Sequence, residues 1–408
     1  MSSVLPEYVL IVAVCFNAIL AIINGHFVTL AQWHVILAEV LVYAAALAVI
    51  VSNADRRMWP WLLLALFIIL TGVWVTISSG AFNAKYIRDV LVIPVFIMLG
   101  MTYRAETFVR PFSILHTIIL VVAMVEVASP DTYAETFRVL EYYVNTRDFA
   151  ANSFWNTEST LFVSATRPGA RFFGFVDWHR ASSIFLEPVS LGNYCVIATI
   201  GILCCWNDIS RPVRIYFVGS TLFLLVASDG RLAATSIVIV LIAALLLKNI
   251  SSRWSALYLP ATLLLAAGYV SAFHADDVYD SFGGRVAGTL ELLSHLEISA
   301  IFGLHASLAE QAADAGIVYF IMSQSVIGVI VIWLTIFLSA PGRTLPSRLY
   351  LHAIAIFIPL NLLISYSFFS IKVAALIWFF YGYLYQKDLG VDDAESRDVY
   401  SPLIRPAA

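Results

Sequence analysis

Three arginines at the edges of apolar segments are the residues best suited to chemistry. Arg180 lies in the stretch Trp-His-Arg-Ala-Ser-Ser-Ile-Phe-Leu-Glu-Pro, Arg231 follows Ser-Asp-Gly, and Arg285 follows Gly-Gly. A guanidinium stays charged at any relevant pH and donates two parallel hydrogen bonds to a pair of phosphate oxygens. Three guanidiniums at one depth would bind a diphosphate. Alternatively, each arginine extends to lipid headgroups or pairs with a nearby acid.

A histidine and an aspartate follow these arginines, before a long apolar segment. His305 comes after Gly-Leu, and Asp314 comes directly before Ala-Gly. Either side chain could accept a proton from an attacking hydroxyl group. His305 could instead be a surface or packing residue, and Asp314 could cap the helix that follows it. The two roles of Asp314 are compatible.

Glu187 is a third candidate for acid–base chemistry, because it lies inside an apolar segment, directly before Pro188. An acid in such a segment should have a partner. Arg180 is two helical turns away on the preceding segment, so a structural salt bridge between the two is the alternative to a catalytic role for Glu187.

Several kinds of site have no signature in the sequence. There is no Asp-x-Asp and no His/Asp cluster with metal-ligand spacing, so neither a metal nor another cofactor is predicted. A Walker-type glycine loop and a basic, aromatic-rich face for nucleic acid are also absent. The four cysteines lie in apolar runs and are interpreted as packing residues.

The composition indicates a membrane protein. Of the 408 residues, 61% are hydrophobic and only 12% are charged, and the mean hydropathy is +0.87. A membrane-spanning helix needs ~20 mostly apolar residues. By that measure the sequence predicts an all-α, polytopic membrane protein with about twelve transmembrane helices. They are predicted at 5–23, 35–52, 59–79, 87–101, 111–128, 184–205, 212–228, 231–247, 254–273, 315–339, 348–366 and 371–386.

Lysine and arginine are concentrated in alternate connections between these segments. They fall near 56–57, 104–110, 211–214, 248–253 and 343–348, and again in the C-terminal tail. Such connections face the cytoplasm by the positive-inside rule, so both termini are predicted to be cytoplasmic. Two long connections, 129–183 and 274–314, then lie on the outer side of the membrane.

The domain organisation follows from this pattern. Residues 1–386 form a single transmembrane domain, and residues 387–408 form a polar tail that is predicted to be disordered. In the first outer connection, Tyr133, Phe137, Leu140 and Val144 recur at helical spacing. This spacing predicts a helix that lies on the outer leaflet or packs on the protein's own spans.

The order of these motifs resembles a known family. Arg-Ala-Ser-Ser-Ile-Phe-Leu-Glu-Pro, then Ser-Asp-Gly-Arg, then Gly-Arg, Phe-Gly-Leu and Asp-Ala-Gly before a span, is similar to the bacterial Wzy-type polysaccharide polymerases and the related O-antigen ligases. The likeness covers the chain from Arg180 to Leu338. It implies a glycosyltransferase fold of the C type in the bacterial inner membrane, with a periplasmic active site.

The resemblance also implies a reaction. Members of this family act on undecaprenyl-diphosphate-linked oligosaccharides without a metal or other cofactor, invert the anomeric carbon, and often work beside a flippase and a chain-length regulator. It assigns Arg180, Arg231 and Arg285 to the donor diphosphate. Ligases of the family carry a histidine where this chain has Asp314, and a glycine is common at the position of His305. The polymerase interpretation is therefore favoured, and the identity of the base stays open.

Three other functions remain as alternatives: a ligase, a transporter and a non-enzymatic subunit of an export complex, which would give no product from purified protein and lipid-linked repeat units. A ligase would transfer the finished glycan to lipid A-core or another acceptor. A transporter of lipid-linked oligosaccharides would carry polar residues near mid-membrane and an internal repeat, and no repeat is visible in the sequence.

Overall fold

The computed structural model describes residues 4–80, 83–147, 149, 160–166, 171–273, 282–304 and 315–399. It is 80% helix, and these described residues contain no strand. The chain is therefore all-α, as its apolar segments predict.

Sixteen α-helices lie within the described residues. They are α1 (Leu5–His26), α2 (Gln32–Ser52), α3 (Trp59–Ser78), α4 (Ala84–Met101), α5 (Val109–Ala128), α6 (Pro130–Phe137), α7 (Val139–Arg147), α8 (Pro188–Cys204), α9 (Arg211–Ser228), α10 (Arg231–Leu247), α11 (Tyr258–Phe273), α12 (Phe282–Ser294), α13 (Ile298–Ile301), α14 (Gly316–Ser339), α15 (Leu345–Leu362) and α16 (Ile371–Val399).

A helix lies at each of the twelve apolar segments that the sequence predicts. In the part of the chain that the structure describes, seven helices are long and apolar enough to cross a membrane. They begin at residues 5, 32, 56, 109, 252, 316 and 345, where the third and fifth include a short 3-10 turn. Helices α8 and α10 are apolar but shorter. These lengths are consistent with a polytopic membrane protein.

Helices α4 and α16 pack extensively against each other. Gly100 and Gly382 allow these helices to approach closely, because a Cβ on Gly382 would overlap the carbonyl oxygen of Ile97 and one on Gly100 would overlap that of Phe379. Small residues at helix contacts are a common device of membrane bundles, where backbones must come close to gain van der Waals contact. The indole of Trp378 is fully buried beside this contact.

The predicted helix in the first outer connection is two helices. Arg138 has a φ of 41° and separates α6 from α7, so the apolar face changes direction there. Tyr133 and Phe137 are buried on α6, and Tyr142 and Tyr143 are buried on α7. Both helices pack on α1. Of the two arrangements that the sequence left open, packing on the protein's own spans is the one observed.

Two further boundaries differ from the sequence prediction. The connection 274–314 contains helices α12 and α13, so Arg285 lies on the first turn of a helix. The last helix does not end at 386, where a disordered tail was predicted, but continues to Val399. No proline interrupts the helix before Pro402, and the buried Asp388 fixes the part just past 386 by accepting hydrogen bonds from the backbone N–H groups of Arg343 and Thr344.

Candidate functional site: an arginine-lined cavity

One cavity of about 550 Å³ collects all three arginines that the sequence singles out. We call it the arginine cavity. It lies between the start of α8, the turn from α9 to α10, the start of α12, the residues just after α15, and residues 164–166 and 171–180. Its charged and imidazole residues among the described ones are Arg171, Asp177, His179, Arg180, Asp229, Arg231 and Arg285.

Arg180 is held at the cavity by the backbone around it. Its N–H donates to the carbonyl of Ala165, and the next residue, Ala181, donates to the carbonyl of Ala227 at 2.9 Å. The guanidinium donates through Nε to the carbonyl of Ser228 at 3.3 Å and through Nη1 to that of Ser164 at 3.2 Å. The chain at 180–181 thus runs beside the end of α9, which places Arg180 near the turn that carries Arg231.

The tight turn before Arg231 is fixed by Asp229. Asp229 adopts a left-handed conformation with a φ of 51°. Its buried carboxylate accepts hydrogen bonds from the backbone N–H groups of Phe172 at 3.2 Å and Phe173 at 3.0 Å. Aspartate tolerates this conformation better than most residues do. The turn lets α10 start at once, with the exposed Arg231 as its first residue.

Arg285 reaches the cavity because the residue after it is anchored. Val286 is buried in a small apolar cluster with Ala266, Leu363 and Ile364, and Leu232 packs against this cluster. Thr289 adds a hydrogen bond of 2.7 Å to the carbonyl of Leu363. Since Leu232 and Val286 each follow a cavity arginine and meet in one cluster, Arg231 and Arg285 are carried to the same cavity.

A fourth arginine, Arg171, lines the cavity and was not anticipated from the sequence. It acts as a structural link: Nη2 donates to the carbonyl of Val226 at 3.0 Å, and Nη1 donates to the carbonyls of Trp178 and His179. Its Nε lies 3.7 Å from Oδ1 of Asp229. No spacing signal marks Arg171, because its partners are carbonyls from elsewhere in the chain.

The backbone just after Arg180 is also held in place by Glu126. This fully buried acid, near the end of α5, accepts hydrogen bonds from the backbone N–H groups of Ser182 and Ser183 at 2.6 to 3.0 Å. Ser183 and Leu186 have φ values of 49° and 61°, which are unfavourable for non-glycine residues. Such strain persists only where surrounding contacts impose it. An acid inside an apolar segment was the available sequence signal for Glu126.

The partner of Glu187 differs from the one suggested by the sequence. Its Oε2 lies 3.1 Å from Nζ of Lys372, so the ion pair is made with Lys372 rather than with Arg180. Ser190 and Tyr143 also donate to the carboxylate, the latter at 2.6 Å. The turn at Leu186 separates Arg180 from Glu187, so the two do not lie on one continuous helix.

These contacts favour a structural role for Glu187, which is not among the residues that line the arginine cavity. Burial, followed by the negative charge of Glu187, raises the pKa of Tyr143 well above its usual value. Tyr143 is therefore a neutral phenol that donates to the carboxylate. The sequence signal that could have identified Lys372 is its position as a lone lysine at the start of an apolar segment, because such a lysine should have a buried partner.

His305 and Asp314 lie outside the described residues, so their predicted roles stay predictions. Within the described ranges, no three His, Cys, Asp or Glu side chains come together as a group that could hold a metal ion. Four arginines against two aspartates give the described cavity lining a positive excess. An anion is therefore the ligand that its electrostatics favour.

No family model matches the chain, and neither a curated protein nor a solved structure matches it.

Proposed function

We propose that this chain is a membrane-embedded glycosyltransferase that joins undecaprenyl-diphosphate-linked oligosaccharide repeat units into a bacterial surface polysaccharide or exopolysaccharide. The observation that supports the proposal is the meeting of Arg180, Arg231 and Arg285 in one cavity. They come from three separate parts of the chain: Arg180 is held by backbone carbonyls, whereas Arg231 and Arg285 are positioned by the apolar cluster that Leu232 and Val286 share.

A diphosphate fits the charge of this cavity. Arginine binds pairs of phosphate oxygens through parallel hydrogen bonds, and its charge does not depend on pH. The cavity also opens beside apolar side chains, including Leu232, Phe282 and Ile364. A ligand with an anionic head and a hydrocarbon tail matches this combination better than a soluble anion does.

The proposed reaction is a direct displacement. The acceptor hydroxyl attacks the anomeric carbon of the donor, and the bond from that carbon to the diphosphate oxygen breaks with its electron pair going to the diphosphate. The arginines stabilise the developing charge from fixed positions. Confinement of both lipid-linked substrates at one cavity supplies further rate enhancement. Asp314 or His305 would accept the hydroxyl proton.

The proposed location follows from the same arrangement. The cavity contains the end of α9 and the start of α10, whereas Arg211, Arg214 and Lys248 lie at the opposite ends of these two helices. By the positive-inside rule those basic ends face the cytoplasm. The cavity then faces the periplasm of the bacterial inner membrane. The proposed fold is the twelve-span fold of the C-type glycosyltransferases. A flippase and a chain-length regulator would be the partner proteins.

The test is polymer formation by purified protein in lipid nanodiscs, with undecaprenyl-diphosphate-linked repeat units from the host cells. Wild-type protein should give a ladder of longer lipid-linked glycans, and Arg231→Ala should abolish it without loss of protein from the membrane. Arg253→Ala, an exposed arginine at the opposite end of the bundle, is the matched control and should keep the ladder.

Two results would overturn the proposal. One is a normal ladder from Arg231→Ala. The other is wild-type protein that makes no ladder but either moves the lipid-linked units across the bilayer, as a transporter would, or transfers glycan only when lipid A-core is supplied, as a ligase would.

A further inference from the structure

Asp177 and Trp178 give one part of the arginine cavity a chemistry that a diphosphate does not need. Both residues line the cavity and both are exposed, with 37% of the Trp178 surface accessible. A carboxylate repels a phosphate, and the apolar ring of an indole provides no attraction for an anion. This part of the cavity is therefore suited to a different portion of the substrate.

The carboxylate of Asp177 is available for a ligand. Across the described ranges, no hydrogen bond or ion pair involves it, although four arginines line the same cavity. Asp229, the other acid of the lining, is by contrast occupied by two backbone N–H groups and by Arg171. The two acids thus differ: Asp229 holds the structure together, and Asp177 presents its oxygens at the surface of the cavity.

The segment that carries Asp177 and Trp178 is fixed at both ends. Asp229 binds the backbone at Phe172 and Phe173, and Arg171 binds the carbonyls of Trp178 and His179. The indole of Trp178 lies 6.1 Å from the ring of Phe223 on α9, centroid to centroid. A side chain held in advance in this way loses little entropy when a ligand binds.

We propose that Asp177 and Trp178 form a sugar-binding subsite next to the arginines, in which the indole packs against the apolar face of a pyranose ring and the carboxylate accepts hydrogen bonds from its hydroxyl groups. Tryptophan combines a large apolar face with a rigid ring, and a carboxylate is a strong acceptor for hydroxyl groups. The inference rests on the proposed function, since the arginines would hold the diphosphate to which the sugar is attached.

The competing role for Trp178 is that of a membrane-interface anchor, which many exposed aromatic residues fulfil. The chain offers a matched control in Phe175. It lies in the same segment and is 76% exposed, but it is not among the residues that line the cavity. An anchoring role would make the two positions equivalent, whereas a sugar subsite would not.

The experiment compares two ligands on the same protein in nanodiscs. Undecaprenyl diphosphate measures the arginine contribution alone, and undecaprenyl-diphosphate-linked repeat units from the host cells add the sugar. Wild-type protein should bind the sugar-bearing lipid more tightly, by about tenfold, the size expected of one hydrogen bond to a charged group. Trp178→Ala, which removes the stacking surface, and Asp177→Asn, which removes the charge of the acceptor, should each reduce this difference while binding undecaprenyl diphosphate normally. Phe175→Ala should keep it, and so should Glu135→Gln, an exposed acid on α6.

The outcomes separate this inference from the proposed function. If the Trp178 and Asp177 variants keep the sugar-dependent difference, or if the wild type shows none while still binding undecaprenyl diphosphate, the subsite is wrong and the diphosphate site stands. If wild-type protein binds neither lipid, the proposed function fails and the subsite fails with it. Unchanged thermal unfolding of each variant serves as the check on folding.

Discussion

The half-buried carboxylate of Glu187 and the buried ammonium group of Lys372 form an ion pair, with 3.1 Å between Oε2 and Nζ. Lys372 also donates a hydrogen bond of 2.7 Å to the carbonyl of Phe185. The pair joins the start of α16 to the strained turn before α8. It therefore supports the backbone from which Arg180 enters the cavity.

Removal of one partner of this pair should be costly. In Lys372→Met, the carboxylate of Glu187 loses its counter-charge, and such losses typically cost about 3–5 kcal/mol when the group is buried. Because the Glu187 side chain is 21% exposed, we expect the lower end of that range. The measurement is thermal unfolding of the purified protein in detergent.

The double variant Glu187→Gln with Lys372→Met provides the control. It removes both charges, so it should recover much of the stability that Lys372→Met alone loses. A Glu187→Gln variant that unfolds like wild type but has lost glycan transfer would contradict the structural role and return Glu187 to the catalytic candidates.

The loop that lines the cavity should depend on Asp229. Asp229→Ala leaves the N–H groups of Phe172 and Phe173 and the Arg171 guanidinium without their acceptor, and it places alanine at a positive φ. We expect a loss of about 2–3 kcal/mol in unfolding free energy together with weaker lipid binding. Asp229→Asn, which keeps an acceptor oxygen and tolerates this φ, should lose less. Equal losses from both substitutions would argue against the loop-anchoring role.

The helices and the cavity arginines were accessible to sequence reasoning for a simple physical reason. A membrane span must be long and apolar, so each long apolar segment predicts a helix regardless of which segments pack beside it. A charge at the edge of such a segment is costly unless it has a function or a partner, which drew attention to Arg180, Arg231 and Arg285.

The long-range partners were not accessible in the same way. Lys372 and Glu126 are each one charge in an apolar run, and only the fold shows that the first meets Glu187 and the second meets the backbone of Ser182 and Ser183. The break at Arg138 was missed because apolar periodicity does not report a positive φ. Asp177 was overlooked since its neighbours in the sequence give no sign of the cavity.

The contact between α4 and α16 should tolerate no side chain at its glycines. In Gly382→Ala, the new Cβ would overlap the carbonyl oxygen of Ile97, so the helices must separate. We expect the unfolding free energy to fall by at least about 1–3 kcal/mol, the loss typical of overpacked cores. Gly268→Ala on α11, where nothing lies within 4 Å of the new Cβ, should leave unfolding unchanged. Similar behaviour of the two variants would contradict the close packing.

Substitution of Arg285 can separate the contribution of the planar guanidinium shape to diphosphate binding from the contribution of its positive charge. Arg285→Lys keeps the positive charge but cannot donate two parallel hydrogen bonds from a planar group. Its affinity for undecaprenyl diphosphate should fall between those of wild type and Arg285→Ala, with the alanine variant weaker than wild type by at least about tenfold. Binding by Arg285→Ala that equals wild type would remove this residue from the site.

The most direct test of the central claim is a cryo-electron microscopy map of the protein in nanodiscs with undecaprenyl diphosphate. The account predicts density for the diphosphate inside the arginine cavity, within hydrogen-bond distance of Arg180, Arg231 and Arg285. Density for the ligand at another surface, with this cavity empty of it, would contradict the account.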